Sequence, residues 1–142
     1  MALNIYADAS LLVAVIAPDA FNARARDFIE GQRPNLSISD FAAAEFASAL
    51  ARRVRTLDLT AARARDAFVA FDAWAAFRGR RLETTSADVA RAEAFVRRLD
   101  LNLRTPDALH IAIAERHGAA LATFDTRMAD AARSLGLEVA DA

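Results

Sequence analysis

The chain predicts an α/β fold: a three-layer α/β/α domain around a central, mostly parallel sheet of about five strands. Two observations carry that class. Short apolar runs alternate with longer Ala-rich stretches of helical period, the pattern of parallel strands joined by crossover helices. The breakers Pro18, Gly31, Pro34, Gly79, Gly118 and Gly136 stand between these runs and do not interrupt them.

The first strand is residues 3–8, ending on Asp8, and helices over 10–17 and 20–31 follow. A strand at 36–39 leads into a helix over 41–55, with Ser39 or Asp40 as its cap. Thr60 caps a helix over 60–77, a strand follows at 82–84, and Ser86 caps a helix over 87–99. Thr105 followed by Pro106 at the first helical position marks a helix over 106–117. A strand at 120–124, a helix over 126–135 and a strand at 137–139 complete the series.

At 142 residues the chain fits one domain, 1–142, with no repeat, linker or low-complexity tract to divide it. No run approaches the roughly 18 apolar residues of a membrane span, and the start lacks the basic region and long apolar core of a signal peptide. A cytoplasmic protein without membrane association is expected. The absence of cysteine excludes a thiol nucleophile and leaves a zinc site only His110 and His117 plus carboxylates.

All 18 basic residues are arginine. Without lysine there is no Walker phosphate loop, and the phospho-acceptor folds that also place Asp at strand ends lose their Lys partner. The net charge of −1 provides no global basic field, so nucleic-acid contacts would have to be local. Arginines cluster at Arg52, Arg53 and Arg55, at Arg78, Arg80 and Arg81, and at Arg97 and Arg98, and each cluster also reads as a solvated helix face.

Four carboxylates stand out. Asp8 and Asp125 end strands, and ligands of an open parallel sheet bind beyond the carboxyl ends of its strands. Asp107 lies in the first turn of its helix, where free N–H groups and the dipole favour a carboxylate. Glu45 sits mid-helix among alanines and Phe46, where a buried lone carboxylate needs a partner. Each also has an ordinary reading: Asp8 and Asp125 as N-caps, Asp107 as a first-turn charge, Glu45 as a residue on an exposed helix edge. Their joint occurrence favours a site, and an all-oxygen donor set points to Mg²⁺ or Mn²⁺. Such ions activate water and steady a leaving oxygen in phosphodiester hydrolysis. His110, one turn after Asp107, reads as a core histidine within reach of the site. His117, beside Gly118, reads as a helix C-terminal group. Ser10 and Thr123 are placed to hydrogen-bond a carboxylate and also read as plain cap and strand residues.

The segments Tyr-Ala-Asp-Ala-Ser-Leu-Leu (6–12), Ser-Asp-Phe-Ala-Ala-Ala-Glu-Phe-Ala-Ser-Ala-Leu (39–50), Arg-Thr-Pro-Asp-Ala-Leu-His-Ile-Ala-Ile-Ala (104–114) and Leu-Ala-Thr-Phe-Asp-Thr-Arg-Met (121–128) resemble, in order and spacing, the four motifs of PIN-domain proteins of the VapC toxin type. That resemblance implies a Mg²⁺-dependent endoribonuclease acting on RNA, the toxin half of a type II toxin–antitoxin pair, a homodimer inhibited by its cognate antitoxin. It assigns Asp8, Glu45, Asp107 and Asp125 as catalytic metal-binding acids with Ser10 and Thr123 as supporting hydroxyls. Asp40 departs from the pattern, either as a cap or as a further ligand. The rivals are a non-catalytic PIN-like module that binds RNA or protein, and a structure-specific DNA nuclease. Phe68, Phe71, Trp74 and Phe77, spaced by three, form an aromatic stripe that reads either as core or, with the Glu45 helix, as a groove for an antitoxin segment.

Overall fold

The computed structural model describes residues 2–142. Four parallel strands, β1 (Asn4–Ala7), β2 (Asn35–Ser39), β3 (Gly79–Leu82) and β4 (Ala120–Ala122), form a sheet in the order β3-β2-β1-β4. Ile5 pairs with Leu36 on one side and Ala120 on the other. The helices are α1 (Ala9–Ile16), α2 (Asn22–Gln32), α3 (Asp40–Arg55), α4 (Ala61–Arg78), α5 (Ser86–Val96), α6 (Thr105–Arg116) and α7 (Thr126–Ser134).

Strand alternation divides the core in two. Ile5, Ala7, Leu36, Ile38, Ala120 and Ala122 face a layer made by α1 to α4, with Leu11, Leu12, Phe46 and Phe71 among its buried residues. Tyr6, Leu82 and Leu121 face the opposite way onto α5, α6 and α7, against Phe95, Ile111, Ile113 and Met128. Strands buried on both faces have no polar side to show, hence the near-continuous apolar runs in the sequence.

The chain steps outward from β1 to β2 to β3, then returns to place β4 on the other flank of β1. The direction of winding therefore reverses between β1 and β4, where an open parallel sheet leaves a crevice. Asp8 and Asp125 follow those two strands.

Several boundaries differ from expectation for identifiable reasons. The third strand begins at Gly79 directly after α4, not at residue 82. Its Arg80 and Arg81 are exposed edge-strand charges that hide it from an apolar pattern. A Cβ at Gly79 would lie 2.7 Å from Ile38 Cδ1 and 3.1 Å from Ala75 O, so a larger residue there would have to displace the Ile38 side chain. Thr85, not Ser86, caps α5: its Oγ1 accepts from the Asp88 N–H while Asp88 accepts from the Thr85 N–H at 2.9 Å. That helix stops at Val96, and Leu99–Leu101 form a separate 3-10 turn. Helix α6 starts at Thr105, so Pro106 is its second residue. The fifth strand is reduced to one parallel bridge, Val139 to Leu121, flanked by Leu121 N–H to Glu138 O at 2.9 Å and Ala140 N–H to Leu121 O at 2.8 Å.

Candidate active site

Asp8 leaves β1 as the N-cap of α1 and is only 2% exposed. Its Oδ1 accepts from Ser10 Oγ at 2.7 Å and from the Leu11 N–H at 3.1 Å, and its Oδ2 accepts from Thr123 Oγ1 at 2.6 Å. Ser10 Oγ accepts in turn from the Phe124 N–H, and Thr123 Oγ1 from the Asp125 N–H, both at 2.9 Å. The two hydroxyls thus stitch the ends of β1 and β4 together through Asp8. Burial pushes the Asp8 carboxyl above its ordinary range, against the opposing field of His110 and the donated hydrogen bonds of Thr123, Ser10 and Leu11.

Asp125 caps α7, its Oδ1 accepting from the N–H groups of Arg127 and Met128 at 3.0 and 3.1 Å. Asp107, 9% exposed in the first turn of α6, accepts the Arg104 N–H on Oδ2 at 3.3 Å. Burial raises its carboxyl above the usual range. The Arg104 N–H opposes that rise, the like charge of Asp125 adds to it, and Arg127 and His110 pull it down. Asp107 and Asp125 therefore lie near enough for the charge of one to bear on the other.

Glu45 departs from expectation. Its side chain keeps 30% of its exposure, and it already has a protein partner, since its Oε1 accepts a hydrogen bond from His110 Nε2. His110, 1% exposed, is both the core histidine and the residue in reach of the site. Its Nδ1 meets Tyr6 Oη at 2.7 Å, and Tyr6 Oη meets Ser39 Oγ at 2.7 Å. Sequence reasoning gave Tyr6 no role and Ser39 only that of a cap, which it also is, accepting the Ala42 N–H at 2.9 Å. Nothing in periodicity shows that one face of β1, the start of α3 and the middle of α6 converge.

Asp40 is exposed and paired with Arg81 at 2.8 Å, an ion pair from α3 to β3 that adds nothing to the acid cluster. His117 is the C-cap of α6, roughly 15 Å along the helix from Asp107 at ~1.5 Å per residue. Within the arginine clusters, Arg53 pairs with Asp19, Arg97 with Glu93 and Arg98 with Asp100. Beside Asp107 stand the backbone N–H of Arg104 and the charge of Arg127, neither of which an arginine cluster in the sequence singles out.

As the side chains stand, no three His, Asp or Glu groups among the described residues form a ready-made metal cage. The reason is visible in the hydrogen bonds: Asp8 is locked by hydroxyls, Asp125 Oδ1 is turned to α7, and Glu45 is turned to His110. In chemical type the set still fits a hard divalent cation. It offers carboxylate and hydroxyl oxygens only, and it places two carboxylates, Asp107 and Asp125, in mutual repulsion.

Comparison with known proteins agrees with this architecture. A PIN domain family model matches residues 5–134. No curated protein matches the sequence. Among solved structures, the chain is similar to VapC20 from Mycobacterium tuberculosis, described as a Sarcin-Ricin loop cleaving toxin. That likeness has a TM-score of 0.73 and 21% identity, over 89% of this chain and 94% of that one. VapBC2 from Rickettsia felis bound to a DNA fragment from their promoter gives 0.67 at 13% identity, over 96% of each chain. FitAcB from Neisseria gonorrhoeae gives 0.66 at 19% identity, again over 96% of each. These likenesses support the fold, and the family match spans both strands and both helices that present the acids: the chain belongs to the PIN-domain family.

Proposed function

We propose that this protein is a divalent-metal-dependent endoribonuclease, a single PIN domain acting in the cytoplasm as the toxin of a toxin–antitoxin pair. One observation carries the reading. Asp8, Asp107 and Asp125 gather at the reversal point of the sheet, with Ser10 and Thr123 fixing the first of them and Glu45 standing nearby on α3. The described character of VapC20 as a loop-cleaving toxin supports RNA as the substrate class, and the toxin–antitoxin complex from Klebsiella pneumoniae among the similar structures supports an antitoxin partner.

Asp8, Glu45, Asp107 and Asp125 are the residues that would hold Mg²⁺, or Mn²⁺ in its place. Bound there, the ion would neutralise the acids, lower the pKa of a water nucleophile and stabilise the leaving oxygen. The protein's own contribution is positional. Ser10 and Thr123 hold Asp8 in its rotamer, the α7 N-terminus holds Asp125, and the first turn of α6 presents Asp107 where the helix passes from exposed to buried. Arg127 offsets part of the negative field that a phosphodiester must enter.

The test is cleavage of single-stranded RNA with Mg²⁺, by the parent and by Asp8→Asn, Glu45→Gln, Asp107→Asn and Asp125→Asn, with flap DNA as a competing substrate. Metal-dependent RNA cleavage lost in the variants is expected, and preference for flap DNA would move the assignment to a DNA nuclease. A second reading, a non-catalytic module that binds RNA or protein, draws support from the absence of a ready-made cage. Parent protein that binds RNA yet leaves it intact under every metal condition would favour it.

A further inference from the structure

We infer that His110 is a positioning residue for Glu45, and that a buried chain through Tyr6 and Ser39 fixes its ring so that Nε2 carries the proton directed at the carboxylate. The inference deepens the proposed function and rests on Glu45 belonging to the site.

Hydrogen-bond accounting sets the direction of the chain. The contacts are Ala42 N–H to Ser39 Oγ at 2.9 Å, Ser39 Oγ to Tyr6 Oη at 2.7 Å, Tyr6 Oη to His110 Nδ1 at 2.7 Å, and His110 Nε2 to Glu45 Oε1. A carboxylate only accepts, so Nε2 must donate. If Tyr6 donates to Nδ1 and Ser39 donates to Tyr6, every hydrogen has an acceptor. In the reverse order, Nδ1 and Nε2 both donate and Tyr6 donates to Ser39, which leaves the Ser39 hydroxyl hydrogen without a partner in a residue 0% exposed. A buried hydroxyl hydrogen without an acceptor is unfavourable, so the first order prevails. Burial also holds the Tyr6 phenol well above its ordinary range, which keeps its O–H as a donor.

The remaining faces of the ring are packed. Phe41 lies 5.0 Å and Tyr6 5.7 Å from it, centroid to centroid, both tilted. His110 is thus fixed in orientation and in tautomer by groups that touch no substrate. Glu45 is the one member of the chain that reaches solvent, at 30% exposure. A long, partly exposed carboxylate would otherwise sample several rotamers, and the relay restricts it to the one its neighbours dictate.

The experiment reads the tautomer directly and then its consequence. In the metal-free parent protein, ¹⁵N NMR of the His110 ring should show Nε2 protonated and Nδ1 bare; a ring protonated on Nδ1, alone or together with Nε2, would overturn the inference with no variant needed. Tyr6→Phe, which keeps the ring and removes the hydroxyl, and His110→Ala should each weaken Mn²⁺ binding, read by calorimetry on folded protein, by about 10–100-fold. His110→Gln places an amide donor toward Glu45 and should recover most of that loss. If His110 serves only the core, these variants lower Tm while Mn²⁺ affinity stays at the parent value, and the inference fails. Glu45→Gln separates this failure from that of the function: weakened Mn²⁺ binding there, with normal binding in His110→Ala, refutes the relay alone, whereas parent-like binding and cleavage in Glu45→Gln refute the placement of Glu45 in the site as well.

Discussion

Replacing Asp8 in two ways separates its chemistry from its structural work. Asp8→Asn keeps an oxygen for Ser10 Oγ and the Leu11 N–H, and Asn is as good an N-cap as Asp. Its new amide group would face Thr123 Oγ1, whose own hydrogen can turn to Ser10 Oγ, 3.3 Å away. The web survives and a buried charge disappears. Because burial raises the Asp8 carboxyl, the folded state holds its proton more tightly than the unfolded chain, so stability falls as pH climbs from the ordinary carboxylate range through the raised value. Asp8→Asn removes that loss. Without metal at neutral pH it should melt at or above the parent, with its advantage shrinking as the pH is lowered through the raised value and gone below about 4. Asp8→Ala, in contrast, strips acceptors from one backbone N–H and two hydroxyls. A lost cap costs about 1 kcal/mol and two disrupted hydrogen bonds about 1 kcal/mol each, roughly 3 kcal/mol together, or about 10 °C in a domain this size. Both variants should lose at least about 100-fold in RNA cleavage, the ~3 kcal/mol scale of one electrostatic contact to the transition state. The assays are thermal melts in EDTA across pH and cleavage in Mg²⁺. If Asp8→Asn melted as low as Asp8→Ala, relief of buried charge would be refuted and Asp8 would be a structural residue that needs its ionised form.

Chelation by EDTA should abolish cleavage and added Mg²⁺ or Mn²⁺ restore it, and undiminished activity in excess chelator would refute the metal requirement. Asp88, 1% exposed and held by Arg116 at 2.6 and 2.9 Å and by the Thr85 cap, should be structural only. Burial alone would raise its carboxyl, but the Arg116 and Thr85 hydrogen bonds outweigh it and hold the group low; its stabilisation is therefore present above the ordinary carboxylate pKa and lost as pH falls through the lowered value. Asp88→Ala should cost about 2–3 kcal/mol in melts, with cleavage per folded molecule unchanged. Trp74→Ala should weaken capture of an antitoxin, measured by titration with purified candidate antitoxins, and leave free nuclease activity intact; equal loss of both would return Trp74 to the core.

The sequence exposed the fold class well because buried parallel strands and amphipathic helices write their burial into residue order. It misplaced β3 because an edge strand carries Arg80 and Arg81 where a central strand carries apolar residues. Asp8, Asp107, Asp125 and the two hydroxyls could be singled out because strand ends and helix starts are local features, and the structure brings Asp8, Ser10, Thr123 and Asp125 into one web. The partner of Glu45 was not legible. It depends on Tyr6, Ser39 and His110 meeting across sequence separations of 33 and 104 residues, and no periodicity encodes that. The aromatic stripe also split: Phe68 and Phe71 line a groove with Ala43, Ala47 and Phe46, whereas Trp74 and Phe77 line a separate one of about 550 Å³ with Val15, Ile29 and Arg26.

That split bears on how inhibition could reach the acids. Phe71 is buried and stacks on Phe46 at 4.4 Å, on the same helix as Glu45 and adjacent to it in sequence. Side chains one residue apart on a helix point about 100° apart, so a segment seated over Phe46 and Phe68 would press on the core side of α3 without covering Glu45 itself. Trp74 and Phe77 stand one to two turns further along α4, and Phe77 is 88% exposed. A partner held at both places therefore spans the outer face of α4, and its effect on the crevice must come either from a chain long enough to cross the sheet edge or from a shift of α3. The two routes differ at Glu45: the first leaves its bond to His110 intact, and the second breaks it. The His110 ring signal in the presence of antitoxin distinguishes them, since only a moved α3 changes the acceptor of Nε2.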